Sequence, residues 1–204
     1  LSDAILQHRG TIDKYMGDAI MAFWNAPLDD PDHAAHACKS AKEMAEKMAE
    51  LNLKWRAEAE AAGRVFVPVA IGIGINSGEC VVGNLGSDQR FDYSALGDEV
   101  NVASRLEGLT KSYGMTAFQR NPGLPTLELD LMRVKGRSQP TRIFTLTDTL
   151  GTDQQTLEQL APLQAEMLEA FRGRDWDRAE ALIAKCRQLG VASLETYFRI
   201  YSAR

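Results

Sequence analysis

Residues 91–107, FDYSALGDEVNVASRLE, set a short apolar strand against a helix, and the rest of the chain organises around that joint. Residues 93–96 read as the buried end of a strand, Gly97 lets the chain turn, and Asp98 is an N-cap candidate with Glu99 in the first turn. From there Val102, Leu106, Leu109 and Tyr113 recur at i, i+4, i+7 and i+11, a core-facing stripe, and Gly114 follows as a C′ stop. Asn101 and Arg105 stand one turn apart beside that stripe, so both side chains can reach one ligand above the end of a sheet. The competing reading is a solvated helix face on which Arg105 pairs with Glu99 or Glu107.

Working upstream, residues 65–75 alternate Val67, Val69, Ile71, Ile73 and Ile75 with Ala70, Gly72 and Gly74. The spacing predicts a central strand whose glycine face admits a close neighbour, with residues 80–85 returning as its hairpin partner. No helix with Lys-Ser/Thr follows these glycines, so a phosphate loop is excluded. Residues 33–62 predict a long helix, with Cys38, Ala41, Met44, Ala45, Met48 and Leu51 forming a core wall after a loop that ends in an N-cap. His33, His36 and Cys38 suggest a metal site only weakly, because no third ligand shares their helical face. Residues 1–8 read as a helix tail ended by Gly10.

Between them, residues 11–15 and 19–24 are strand-like runs around Met16-Gly17-Asp18, a tight hairpin with Asp18 at its tip. Asp beside Gly is ordinary turn chemistry. A carboxylate held rigidly at such a tip also suits Mg²⁺, which takes hard oxygen ligands and only one or two from protein. Lys14 could form a local ion pair with Asp18 or Asp13.

Downstream, Leu127, Leu129 and Leu131 alternate with Glu128 and Asp130, Val134-Lys135-Gly136-Arg137 makes a turn, and residues 141–146 complete a hairpin. Lys135 and Arg137 are cations of that turn. After Asp153 the pattern is helical only. Leu157, Leu160 and Leu168 share a stripe; Trp176, Ala179, Ile183 and Cys186 face inward on a second helix; Leu194, Tyr197, Phe198 and Tyr201 mark a third. One such helical pair is too little for a repeat stack, and these helices read as a packing or interaction tail without catalytic residues.

Composition narrows the function. With 204 residues, 45% of them hydrophobic, the chain can hold one domain with a full core and a small appendage. A net charge of -5 offers no basic field for nucleic acid, so an anionic ligand must be gathered by a few local cations. Cys38, Cys80 and Cys186 are far apart, without metal-ligand spacing, which suits reduced thiols in a cytosolic compartment. The longest apolar run is too short and glycine-interrupted to cross a bilayer.

Two stretches, SALGDEVNVASRLE from Ser94 and KYMGDAIMAF from Lys14, resemble the signature and the metal-bearing hairpin of class III nucleotidyl cyclases, and the likeness extends from Gly10 to about Leu146. The resemblance implies an α/β fold, the ferredoxin-like palm core of that family, spanning residues 1–148 with a helical extension at 149–204. It places the first strand and its metal carboxylate upstream of Leu1, so that a fragment beginning there is expected to be inactive alone, and it implies a sensor or membrane module further upstream of a cytoplasmic domain. Relatives carry a further strand and short helix where residues 115–126 stand, so either this member has a deletion there or the sequence joins segments across missing residues; the second is favoured, since a sheet lacking an element would expose an unpaired edge. The implied function is an adenylate cyclase that makes cyclic AMP from ATP with two Mg²⁺ or Mn²⁺ ions, its sites shared across a homodimer. In that resemblance Asp18 holds metal, Lys14 and Ser94 read the purine, Asn101 holds the ribose, Arg105 meets the α-phosphoryl group, and Lys135 reaches the triphosphate. Lys14 points to adenine rather than guanine; Ser94 stands where adenylyl members carry Asp or, in a bacterial subgroup, Thr. A guanylate cyclase, or a cyclase-like dimerisation module without chemistry, are the alternatives.

Overall fold

The computed structural model describes residues 1–87, 90–114, 117–118, 124–133 and 140–203, with the backbone only at 90, 117 and 118. A short helix α1 (Ser2–Gln7) leads into the hairpin β1 (Thr11–Met16) and β2 (Ala19–Phe23), and the long α2 (His33–Ala61) follows. Next come β3 (Gly74–Ile75), the hairpin β4 (Val81–Ser87) and β5 (Arg90–Leu96), α3 (Asp98–Tyr113), β6 (Ala117–Phe118), β7 (Thr126–Met132) and β8 (Thr141–Leu146). Three helices close the chain: α4 (Gln154–Arg172), α5 (Trp176–Gln188) and α6 (Glu195–Ser202). The strands form two hairpin sheets, β1-β2 and β4-β5, and a four-stranded sheet in the order β3-β6-β8-β7. Among the described residues no helix is long and apolar enough to cross a membrane.

In the joint at 91–107 the helix forms as its residues dictate, but the strand end is buried only at Ser94 and Ala95, with Leu96 57% exposed. Val102 and Leu106 are fully buried, Tyr113 nearly so, and Gly114 ends α3 in the left-handed conformation at φ 71°. The N-cap is Gly97 rather than Asp98, which is the first helical residue and sits with Glu99 where acidic groups meet the positive end of the helix dipole.

Residues 65–75 depart from the alternation pattern. Only Gly74–Ile75 is strand, paired parallel to β6, while residues 64–73 take no regular structure and Val65 and Val67 are 93% and 75% exposed. A period-two apolar run becomes a buried strand only where another strand supplies hydrogen-bond partners. Here the Asn52 side chain takes that part for one residue, donating to Val69 O and accepting from Val69 N, both at 2.8 Å. The return strand exists as β4, but its partner is β5, with Val81 opposite Leu96 and Gly83 opposite Ser94. β6, which the sequence reading passed over, pairs with β3 and β8.

In β7 a register shift between Glu128 and Asp130 interrupts the expected alternation. Leu127 and Leu129 point inward as the pattern requires, but so does Asp130, and Leu131 turns out to 39% exposure. Asp130 is satisfied by the Tyr113 hydroxyl at 2.9 Å and its neighbour's N–H at 2.8 Å, and the Tyr197 and Tyr201 hydroxyls both donate to Leu129 O at 2.9 Å. The final helices therefore grip the bulge directly. Their Leu160, Met167, Ile183, Leu194, Tyr197 and Phe198 share one core with Val102 and Leu106 of α3 and Leu129 and Ile143 of the sheet. Ala179, Ile183 and Cys186 face inward as expected; Trp176 does not, being 52% exposed with its ring edge-on to Phe171.

Candidate active site

The site begins with a bulge. β1 pairs Ile12 with Ala22 and Lys14 with Met21, leaving Asp13 as the extra residue. An inserted residue re-aims the side chains around it. The Asp13 side chain is fully buried, turned toward β5, and its Oδ2 accepts from Ser94 Oγ at 2.6 Å and from the Ala95 N–H at 3.3 Å. Its Oδ1 lies 3.2 Å from Lys14 Nζ, whose side chain remains 44% exposed. The Phe23 and Tyr93 rings, 5.9 Å apart, brace the same two elements. Lys14 and Ser94, distant in sequence, thus meet on the two oxygens of one carboxylate.

From Ser94 the chain runs through Gly97 into α3, which carries Asn101 and Arg105. Asn101 is exposed, its Nδ2 making only a long 3.5 Å contact to Gly97 O. Arg105 is half-buried, and its Nη1 is shielded from solvent without a hydrogen-bond partner. Among the described residues neither of the ion pairs to Glu99 or Glu107 that helical spacing allows is formed. A shielded guanidinium nitrogen with no acceptor is costly to leave unmet, which favours an anionic ligand over the solvated-face reading.

Two contacts hold α3 in place. Asn76 Nδ2 donates to Glu99 O at 3.0 Å and to Glu99 Oε2 at 2.5 Å, latching the turn after β3 to the first helical turn. Gly72 and Gly74 lie so close to α3 that a Cβ on either would collide with Ala103, Glu107 or Thr110. The close neighbour that the glycine face was expected to admit is therefore the helix bearing Asn101 and Arg105.

Asp18 is exposed just after Gly17, whose φ of 65° makes the hairpin turn. Among the described residues no group of three or more His, Cys, Asp or Glu could hold a metal. His36 is tied to the buried Asp30 at 2.7 Å, an interaction that holds the Asp30 carboxyl below its ordinary range, and burial pushes the Cys38 thiol up to about 11. Neither serves the His33–His36–Cys38 reading. One exposed hard-oxygen carboxylate, Asp18, fits an Mg²⁺ ion that draws most of its ligands from substrate and water. Lys135 lies outside the described residues, as does its turn.

Asp13 is the residue the sequence reading considered only as a local partner of Lys14. Regular alternation in β1 would point Asp13 away from Lys14, and only the bulge overrides that.

Residues 3–116, more than half of the chain, match the family described as the adenylate and guanylate cyclase catalytic domain. Adenylate cyclase 1 of Rhizobium meliloti is 42% identical over 117 residues, 57% of this chain and 17% of that protein. The crystal structure of the adenylyl cyclase CyaB from P. aeruginosa superposes with a TM-score of 0.61 at 32% identity, covering 75% of this chain and 78% of that one. That of the guanylyl cyclase Cya2 gives 0.60 at 29% identity, covering 75% and 76%. The chain spans under a third of the length of the first sequence relatives it matches. With the hairpin, the strand-helix joint and these matches together, the chain belongs to the class III adenylate and guanylate cyclase catalytic domain family.

Proposed function

We propose that the chain is the catalytic domain of an adenylate cyclase, converting ATP to 3′,5′-cyclic AMP and pyrophosphate. The observation that carries this reading is the convergence of Lys14 and Ser94 on Asp13, which sets an ammonium donor beside a hydroxyl as a reader for one edge of a purine. Adenine offers N1 as an acceptor to Lys14 and its 6-amine as a donor to Ser94. The identity to bacterial adenylate cyclases supports the same choice.

The roles are those the family resemblance implies, and the exposure of Asn101 and the unpartnered Nη1 of Arg105 are compatible with them. Asn101, exposed and weakly engaged, holds the ribose. Arg105 offers its unpartnered Nη1 to the α-phosphoryl oxygens as the ribose 3′-oxygen attacks and the bond to the leaving pyrophosphate breaks. Lys135 takes the triphosphate, and Asp18 contributes to a site for Mg²⁺ or Mn²⁺, two ions per active site. When bound, the metal neutralises triphosphate charge and makes the 3′-hydroxyl easier to deprotonate. The domain acts as a homodimer, with Asp18 of one protomer serving the nucleotide held by Lys14, Ser94, Asn101 and Arg105 of its partner.

The likeness to a guanylyl cyclase at nearly the same TM-score favours GTP as the second reading, and competition between ATP and GTP on the complete protein separates the two. The mechanistic test is Arg105→Ala. With ATP and Mg²⁺, its turnover is expected to fall about a hundredfold, the scale of a lost transition-state donor. Near-normal turnover removes Arg105 from the reaction.

A further inference from the structure

We infer that Asp13 is a specificity-positioning residue: it holds the Ser94 hydroxyl as a one-way acceptor beside the Lys14 ammonium, so that the pair reads adenine and rejects guanine. The inference rests on the adenylate cyclase reading and deepens it, assigning to Asp13 a part that the sequence motif gives to no third residue.

A serine hydroxyl by itself does not discriminate. It carries one hydrogen and two acceptor lone pairs on a freely turning bond, so it can accept from the 6-amine of adenine or donate to the 6-oxygen of guanine with equal ease. A carboxylate at the same position could only accept. What removes the ambiguity here is the 2.6 Å bond from Ser94 Oγ to Asp13 Oδ2. As a carboxylate Asp13 has no hydrogen to give, so the shared hydrogen is the hydroxyl's, and it points at Asp13. Ser94 is only 4% exposed, leaving water little access to compete for that hydrogen. The lone pairs of Oγ are what remain for a ligand.

Three further features keep Asp13 in that role. The Ala95 N–H holds the same Oδ2 at 3.3 Å, so the carboxylate is anchored to the β5 backbone independently of Ser94. The bulge at Asp13 turns its side chain inward, with no exposed surface. Oδ1 pairs with Lys14 Nζ at 3.2 Å, which occupies at most one of the ammonium's three hydrogens and leaves the others for a ligand. The result is an acceptor at Ser94 next to a donor at Lys14. Adenine matches it at both atoms. Guanine mismatches it at both, setting its 6-oxygen against the Ser94 lone pairs and its N1–H against the ammonium.

The test uses the complete protein with Asp13→Asn, Ser94→Ala and the double variant, assayed for kcat/KM on ATP and on GTP at fixed Mg²⁺ and checked by thermal unfolding. A carboxamide at position 13 can donate to Oγ and free the hydroxyl hydrogen to face the ligand. Asp13→Asn is therefore expected to lower the ATP:GTP ratio of kcat/KM about tenfold, the scale of one reversed hydrogen bond. Ser94→Ala is expected to lower the ratio similarly, and the double variant no further than Ser94→Ala alone, because Asp13 acts through Ser94. A ratio within twofold of wild type in Asp13→Asn, equal losses on both nucleotides, or additive effects in the double variant would overturn the role of Asp13 while leaving the adenylate reading intact. Wild-type protein that prefers GTP, or cyclises neither nucleotide, overturns the adenylate reading and this inference with it. If Asp13→Asn does not fold, Ser94→Thr decides: threonine keeps the hydroxyl that Asp13 orients, so the ATP:GTP ratio is expected to stay within twofold of wild type while Ser94→Ala loses it, and a loss in Ser94→Thr equal to that in Ser94→Ala shows that an oriented hydroxyl does not set the choice.

Discussion

Replacing Gly74 with alanine tests how the fold positions the chemistry. An ideal Cβ at Gly74 would overlap the Ala103 carbonyl oxygen and the Glu107 backbone nitrogen, and would stand 3.0 Å from the Glu107 Cα. All three are backbone atoms of α3, so no side-chain rotation relieves the clash; the helix has to move. Overpacking of this kind costs about 1–3 kcal/mol, and the rigid obstacle places Gly74→Ala toward the upper end. For a chain of this size each kcal/mol lowers the melting temperature by about 2–4 °C, so a fall of about 5–12 °C is expected. The displaced turn, Ala103 to Glu107, includes Arg105, so on the proposed adenylate cyclase reading turnover of the complete protein, at a temperature where the variant is folded, is expected to drop further than stability alone explains. The assay is thermal unfolding by circular dichroism, paired with initial rates on ATP. Gly83→Ala is the control: nothing lies within 4 Å of the place its Cβ would take, so it should melt no lower than wild type and up to about 4 °C higher. Gly74→Ala melting with wild type, or Gly83→Ala losing as much, would falsify the claim that close strand-helix approach sets the position of α3.

Two further outcomes follow from the structure. Val65→Ser and Val67→Ser, at positions the alternation marks as core, are expected to change unfolding free energy by no more than about 0.5 kcal/mol because both side chains are already in solvent; losses near 2 kcal/mol in urea titrations would contradict this. Asp30 is held below its ordinary carboxyl range chiefly by its hydrogen bond to His36. A depressed folded-state value gives stability that is present above the unfolded value, near 4, and lost as pH falls through the lower folded one. Urea midpoints measured from pH 6 down to pH 2 should therefore fall less steeply in Asp30→Asn than in wild type below about pH 4; parallel curves would rule out this contribution.

The α3 stripe, the β1-β2 hairpin and the three C-terminal helices were legible because each is written in local periodicity. Val102, Leu106 and Tyr113 need no distant partner to be recognised as one helical face, and Gly17 and Gly114 mark turns by backbone freedom that other residues lack. The proposed site residues were named by their place in two motifs that resemble the family's, Lys14 before Asp18 and Asn101 before Arg105. What local pattern could not show is partnership. Residues 65–73 have strand chemistry but no strand beside them, β4 pairs with β5 instead of with the run before it, and Asp130 turns inward at a bulge that alternation cannot register.

The order of residues by itself determined the helical faces and the hairpin turns, since these depend on spacing along one backbone; the groups proposed to meet a nucleotide were named by family resemblance. Only the tertiary structure decided that Asp13 joins Lys14 to Ser94, that Gly74 lets α3 approach, and that Arg105 keeps an unmet nitrogen. Hydrogen bonds and steric contacts between distant segments are set by register and bulges, and a single inserted residue reverses which way a side chain points.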